Sequence, residues 1–263
     1  MVTGISTSCF YPLETEKALA LLVEAGAKNG EVFLNSFSEL EEPYLRALDR
    51  AARAGGLGIL SVHPFTSGWE GSLFFSGYPR RMEDGIDLYR RFFWGAALLG
   101  ADKVIFHGAP LGMEIPMEEY ARRYARLDQA ARELGVRLCH ENVCRTVSRS
   151  AAFFRELLCF CPDAWCTLDV KQAVRAGEDP FALAAAMGDR LAHVHISDNA
   201  PGRSCLPPGK GRMDLAGLVA QLASQGYRGG LIVELYRGDF AAVEELIDSC
   251  RWLEGLPGTK NSL

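Results

Sequence analysis

The sequence predicts a closed (β/α)8 TIM barrel of the α/β class. Eight short apolar runs alternate with helical patterns along 263 residues, and that alternation means parallel strands with helices outside them. The length suits one barrel of eight strand–helix units. Six of the runs end in a histidine or a carboxylate: His63, His107, Glu141, Asp169, His195 and Glu234. Chemistry at six strand ends fits the single mouth of a barrel better than the one crevice of an open doubly wound sheet. No linker or shift in composition divides the chain, so one domain is expected over residues 1–263, with a frayed tail over 256–263.

Strand 1 is Val2 to Thr7, and Pro12 helps to start a helix from Leu13 to Ala25, which Gly26 ends. Strand 2 is EVFLN. Ser38 and Glu41 have the spacing of a helix-start pair, for a helix that the Gly55-Gly56 pair breaks. Strand 3 is GLGILSVH. The segment Phe65 to Arg81 then lacks periodicity, is rich in glycine and aromatics, and reads as a long lid or pocket wall, with Trp69 as a candidate substrate contact. Helix 3 runs from Met82 to Leu99 and strand 4 is KVIFH. Helix 4 spans Met117 to Leu134 behind Pro116, strand 5 is VRLCHEN, and Ser148 is positioned to cap helix 5. Strand 6 is WCTLD, followed by a short helix and another that ends at Met187. Strand 7, LAHVHIS, leads into a Gly- and Pro-rich basic loop. Helix 7 is Leu215 to Ser224, strand 8 is GLIVEL, and Asp239 can cap helix 8.

Side chains two apart on a strand share a face. Parity therefore puts Ser61, Ile105, Cys139, Thr167, His193 and Ile232 inside the barrel, below the six strand-end residues. Val62, Phe106, His140, Leu168, Val194 and Val233 face the helices.

Composition excludes some functions. With 48% hydrophobic and 23% charged residues the chain reads as an ordinary globular protein, and its net charge of -5 disfavours nucleic acid as a partner. No basic segment followed by an apolar one marks a secretory signal, and no apolar run is long enough to span a membrane. The eight cysteines show no CxxC zinc spacing and several fall in strands or helices, so reduced thiols in the cytoplasm are expected.

Three carboxylates and three imidazoles in one mouth need positive charge between them, and a divalent metal is the simplest source. Glu141, Asp169, His195 and Glu234 are spaced 28, 26 and 39 residues apart, one from each of four successive strands. One imidazole with three carboxylates suits Mn2+, Mg2+ or Co2+, and also Zn2+. His63 and His107 either complete a second metal site bridged by Glu141 or hydrogen-bond a substrate. His193, one layer deeper, reads as support for a ligand. Lys171 points toward the mouth as a substrate-binding or proton-transfer group. Arg203 and Lys210 bring positive charge close, and the Gly209-Lys210-Gly211 turn can offer backbone N–H groups to an anion.

At these residues the chain resembles the xylose isomerase-like TIM-barrel superfamily, which includes sugar and sugar-phosphate isomerases or epimerases, inosose dehydratases and endonuclease IV. The resemblance rests on HENV at 140–143, LDVKQA at 168–173, HVHISDN at 193–199, PGKGRMD at 208–214 and IVEL at 232–235, and it covers essentially the whole chain. In the ketose 3-epimerase branch the four matching residues hold one divalent metal. Carried over, Glu141 and Glu234 ligate metal and exchange protons, and Asp169 and His195 are ligands. That branch has a substrate-binding histidine where this chain has Gln172, which can still hydrogen-bond a sugar hydroxyl. The first two zinc sites of endonuclease IV match all six strand-end residues. Its third does not, because Gln172, Arg203 and Cys205 stand at its ligand positions.

The resemblance implies a divalent-metal-dependent isomerase or epimerase of a small sugar, sugar phosphate or polyol ketone, working by proton transfer through a metal-bound enediolate. The alternatives it leaves are a two-metal phosphoesterase and an inosose-type dehydratase. The aromatic loop after strand 3 is compatible with a homo-oligomer.

Overall fold

The computed structural model describes residues 1–259. Eight parallel strands close a barrel: β1 (Val2–Ser6), β2 (Asn29–Leu34), β3 (Gly58–Pro64), β4 (Lys103–Phe106), β5 (Arg137–Glu141), β6 (Trp165–Asp169), β7 (Leu191–Ile196) and, after a β8–β9 hairpin (Asp198–Ala200 and Arg203–Leu206), β10 (Gly230–Val233). Closure comes from β1 against β10, with Val2 beside Gly230 and Ile5 beside Val233. Among the described residues nine helices join the strands, α1 (Thr15–Glu24), α2 (Glu42–Ala54), α3 (Glu70–Phe74), α4 (Pro79–Leu98), α5 (Met117–Arg132), α6 (Ala151–Phe160), α7 (Val170–Ala176), α8 (Pro180–Met187) and α9 (Leu215–Ser224), and α10 (Val243–Glu254) follows β10.

Strand parity separates two apolar layers. Val62, Phe106, Leu168, Val194 and Val233 join the large core between barrel and helices, whereas Ile105, Cys139 and Ala192, with Trp165, form a small separate plug inside the barrel. His140 faces the helices, where its Nε2 lies 2.6 Å from the Tyr120 hydroxyl. Polar residues fill the barrel above the plug. No disulfide forms among the described residues, and none of their helices is long and apolar enough to cross a membrane.

Several local expectations change. The segment Phe65 to Arg81 is largely helical: a 3-10 turn over Phe65–Gly68, then α3, then the start of α4 at Pro79. It lacks amphipathic period because its short helix buries Glu70 as well as Phe74. Ser38 starts only a 3-10 turn, and α2 begins at Glu42. Ser150, not Ser148, caps α6 by accepting from the Phe153 N–H. The Ser148 hydroxyl donates to the Glu141 carbonyl at 2.7 Å instead. Asp239 lies in a 3-10 turn, and Glu245 accepts from the Ala241 and Ala242 N–H groups ahead of α10. The basic loop after β7 contains the β8–β9 hairpin. Of the tail expected to fray over 256–263, Thr259 is packed: its carbonyl accepts from the Met1 ammonium at 3.1 Å and its hydroxyl donates to the Leu256 carbonyl at 2.7 Å. Residues 260–263 lie outside the described residues.

Phe106 is fully buried, with Phe74, Tyr89 and Tyr124 around it at ring-centroid distances of 5.7, 6.1 and 5.8 Å. Phe106→Ala is expected to cost about 3–5 kcal/mol of stability, read as a lowered midpoint in denaturant unfolding. An unchanged midpoint would show that this ring cluster does not anchor the barrel.

Candidate functional site

The register of neighbouring strands decides which strand-end groups meet. Asp169 lies directly beside His195, and Thr167 beside His193. Glu141 is level with Thr167, two residues below Asp169, and its longer side chain spans the difference. Glu234 continues β10 two residues beyond Ile232, which is level with His195. Ligand-type atoms of Glu141, Asp169, His195 and Glu234 consequently all fall within 4.8 Å of one another, and all four residues are buried.

His195 is the hub. Its Nδ1 lies 2.9 Å from Glu141 Oε1, 3.5 Å from Glu234 Oε2 and 3.6 Å from Asp169 Oδ2. Its Nε2 lies 3.0 Å from Glu31 Oε2. An Nε2–H donating to Glu31 fixes the ring and turns Nδ1 toward the three carboxylates, the way a carboxylate commonly orients a metal-ligating histidine. Burial lowers the His195 pKa, but Glu31 and Glu234 outweigh it and hold the value well above the imidazole norm.

Lys171 supplies the other positive charge. Its Nζ lies 2.5 Å from Glu234 Oε2 and 3.4 Å from Asp169 Oδ2. Burial opposes its charge, yet Asp169 and Glu234 keep it an ammonium. The two glutamates diverge in consequence. Burial pushes Glu141 up to about 7 against the pull of His195. Burial pushes Glu234 the same way, but Lys171 and then His195 draw it well below the usual carboxylate range. Asp169 caps α7, its Oδ1 accepting from the Gln172 N–H at 2.7 Å. Asn142 clamps the Asp169 backbone by donating to its carbonyl at 2.9 Å and accepting from its N–H at 2.7 Å. Asp169 Oδ2, though buried, has no hydrogen-bond partner. An orphaned carboxylate oxygen among three carboxylates and one imidazole fits a divalent cation.

A second group adjoins the first. His63, His107 and Glu141 place ligand-type atoms within the same 4.8 Å limit. The Nε2 atoms of His63 and His107 are 3.2 Å apart, and His107 Nε2 is 3.5 Å from Glu141 Oε2. Glu70, completely buried, accepts from the His107 backbone N–H at 2.8 Å, from its Nδ1–H at 2.9 Å and from the Tyr89 hydroxyl at 2.7 Å. His107 thus turns Nε2 into the site. Burial lowers His107, but Glu70 and Glu141 raise it above the imidazole norm. Burial, with His107 beside it, brings His63 down to about 4.

Sequence reasoning missed Glu31 and Glu70. Glu31 gathers the Ser61 hydroxyl at 2.7 Å, the Ser6 hydroxyl at 3.0 Å, His193 Nε2 at 3.1 Å and His195 Nε2. The available signal was its place as the one charge in an otherwise apolar strand run. For Glu70 it was a lone acid in an aromatic segment.

A cavity of about 220 Å3 opens above both groups, with Lys171, Gln172, Arg145, Ser67, Tyr11 and Tyr236 on its walls. Gln172 accepts from the Cys144 N–H at 3.2 Å. The remaining candidates lie off this wall. Trp69 stacks on Phe37 at 5.7 Å. Arg203 is exposed and faces Asp239 at 3.6 Å, and Lys210 is exposed. The N–H groups of Gly209 and Gly211, expected to receive an anion, donate to the chain's own Asp198 carboxylate at 3.1 and 2.9 Å, together with those of Asn199 and Met213.

A family model described as xylose isomerase-like TIM barrel matches residues 19–256. Among curated relatives, an inosose dehydratase of Lacticaseibacillus casei is 26% identical over 153 residues, which is 51% of each chain. An uncharacterised Mycobacterium tuberculosis protein is 34% identical over 71 residues, 26% of this chain and 25% of its own length. The matched stretches thus span about half of one relative and a quarter of the other. Among solved structures, a D-tagatose 3-epimerase-like protein superimposes with a TM-score of 0.78 at 17% identity, covering 97% of this chain and 96% of its own. The IOLI protein with a bound zinc atom superimposes with a TM-score of 0.77 at 18% identity, covering 96% of both chains.

Glu31→Gln keeps an acceptor for His195 but removes its charge. Affinity for Mn2+ is expected to fall about 10- to 100-fold, read by competition with a chelator. Unchanged affinity would mean that Glu31 does not position His195 for a metal.

Proposed function

The chain belongs to the xylose isomerase-like TIM-barrel family, and from that premise we propose a divalent-metal-dependent isomerase or epimerase of a small sugar, sugar phosphate or polyol ketone. The observation that carries this reading is a pair of carboxylates on one cavity with opposed proton affinities, Glu141 raised to about 7 and Glu234 lowered. Environments that separate two such groups assign an acid and a base.

Glu141, Asp169, His195 and Glu234 would hold the ion, and their oxygen-rich set suits Mn2+, Mg2+ or Co2+ as well as Zn2+. A bound divalent ion supplies a Lewis acid that polarises a ketone and acidifies the adjacent C–H. Glu234, kept ionised by Lys171, takes that proton, leaving an enediolate. Glu141, which protonates readily, returns a proton to the opposite face or the neighbouring carbon. Lys171 stays charged throughout and limits the rise of negative charge beside Asp169. Gln172 and the His63–His107 pair hydrogen-bond substrate hydroxyls. The free thiols fit a reducing compartment, the cytoplasm. The similarity to inosose dehydratase supports a second reading, in which the same first proton abstraction is followed by loss of a hydroxyl.

Solvent deuterium is expected to enter a ketose substrate beside its carbonyl, and Glu141→Gln or Glu234→Gln to slow exchange at least about 100-fold. Wild-type exchange in both variants would refute the assignment. Elemental analysis is expected to find one metal per chain, lost in Glu141→Gln and kept in His63→Ala. A second metal that disappears with His63 would favour a two-metal phosphoesterase.

Metal affinity is expected to rise with pH. Glu141 gives up its proton near 7, and His195 holds its proton well above the imidazole norm. Loss of the proton from either group favours the metal. The apparent Kd for Mn2+ should therefore fall as pH rises through 7. A Kd independent of pH, measured by calorimetry, would contradict this linkage.

A further inference from the structure

Arg145 stands on the cavity wall opposite in character to the carboxylates, and no role described so far uses it. It lies four residues beyond Glu141, in the loop that follows β5. The backbone there is fixed: the Leu111 N–H donates to the Arg145 carbonyl at 3.0 Å, the Val147 N–H donates to the Ala109 carbonyl at 3.0 Å, and Pro110 pairs with Thr146 as an antiparallel bridge. Its side chain, by contrast, is exposed and lines the cavity. Among the described residues its guanidinium makes no ion pair, and its one side-chain hydrogen bond is a long 3.4 Å contact to the Ser67 hydroxyl, which lines the same cavity.

The other cation on that wall differs. Lys171 is buried and committed to Glu234 and Asp169. Arg203 and Lys210 are elsewhere, and the nest formed by the Gly209–Gly211 turn is already filled by Asp198. Of the two Lys and Arg side chains lining this cavity among the described residues, Arg145 is the one with donors to spare. A guanidinium on a fixed backbone presents a planar fork that suits carboxylate and phosphate oxygens, and Ser67 adds a neighbouring hydroxyl. Arg145 lines the same cavity as His63, His107, Glu141 and Glu234, so a group held there would keep the rest of a small substrate over the two metal-type clusters.

We propose that Arg145, with Ser67, binds an anionic group at the far end of the substrate, so that the chain acts on a phosphorylated or carboxylated ketose in preference to a neutral one. This rests on the isomerase or epimerase reading for the reaction but not for the binding, and the two are tested apart. D-fructose, D-fructose 6-phosphate and D-fructuronate share a ketose head and differ at the far end. The purified protein and Arg145→Ala are titrated with each by calorimetry, and solvent deuterium exchange is followed in parallel.

The expected result is binding of at least one charged ketose 10-fold or more tighter than D-fructose, with that preference reduced about 10- to 100-fold in Arg145→Ala and partly kept in Arg145→Lys. Which charged ketose gains distinguishes phosphate from carboxylate. No preference for either, or a preference that Arg145→Ala leaves intact, overturns the inference. Binding preference without exchange into any ketose sustains it while sinking the isomerase reading. Exchange into D-fructose without charged preference does the reverse.

Discussion

Everything at the mouth of this barrel depends on how negative charge is balanced around His195. Glu31 lies below the ring, and Glu141, Asp169 and Glu234 lie above it, all buried. Buried charges are tolerated only when paired or ligated. His195 uses both nitrogens, one toward Glu31 and one toward the other three. Lys171 reaches in from α7 to offset Glu234 and Asp169. The set still carries more acid than base, which is the physical case for a cation and for a glutamate that holds its proton near neutrality.

The barrel imposes this concentration of charge, and its apolar layers offset the cost. Parallel closure brings the ends of β5, β6, β7 and β10 around one axis, so residues far apart in sequence have no room to avoid each other. Below them the Ile105–Cys139–Ala192 plug excludes water, and outside them a core of large aromatics packs between strands and helices. Those layers favour folding by burial and leave the mouth free to be electrostatically unfavourable when no ion is bound. Asn142 and the α7 cap then hold Asp169 by its backbone and one oxygen, so its second oxygen keeps its aim without a hydrogen bond.

Period-2 parity made the barrel and the four-residue cluster legible in the sequence, because each of those residues sits at or just beyond a clear strand end. The same rule applied to β2 would have turned Glu31 inward. Its charge sits at the centre of the barrel instead of the rim, outside the strand-end pattern that marks the other acids. Glu70 was illegible for a different reason. Its helix is five residues long, too short for a period, and it is buried by tertiary contact with His107. The basic loop misled in the opposite sense. Glycines in a turn predict exposed N–H groups, but the sequence cannot say that Asp198 turns back to occupy them.

Glu141 belongs to both clusters, and that constrains the chemistry more than either cluster alone. Its Oε1 is 2.9 Å from His195 Nδ1, and its Oε2 is 3.5 Å from His107 Nε2. A cation in the His195 cluster alone leaves the second oxygen able to carry a proton. Cations in both clusters would engage both oxygens, and Glu141 could then no longer deliver a proton to carbon. Proton transfer and a second metal therefore compete for one oxygen atom. Glu70 bears on that competition, because the charge it lends His107 favours an imidazolium that donates to Glu141 over an imidazole that accepts a metal. His63, drawn down to about 4, is a neutral acceptor 3.2 Å from His107 Nε2. An ion-free second cluster would leave Glu141 the oxygen that an epimerase or isomerase would use.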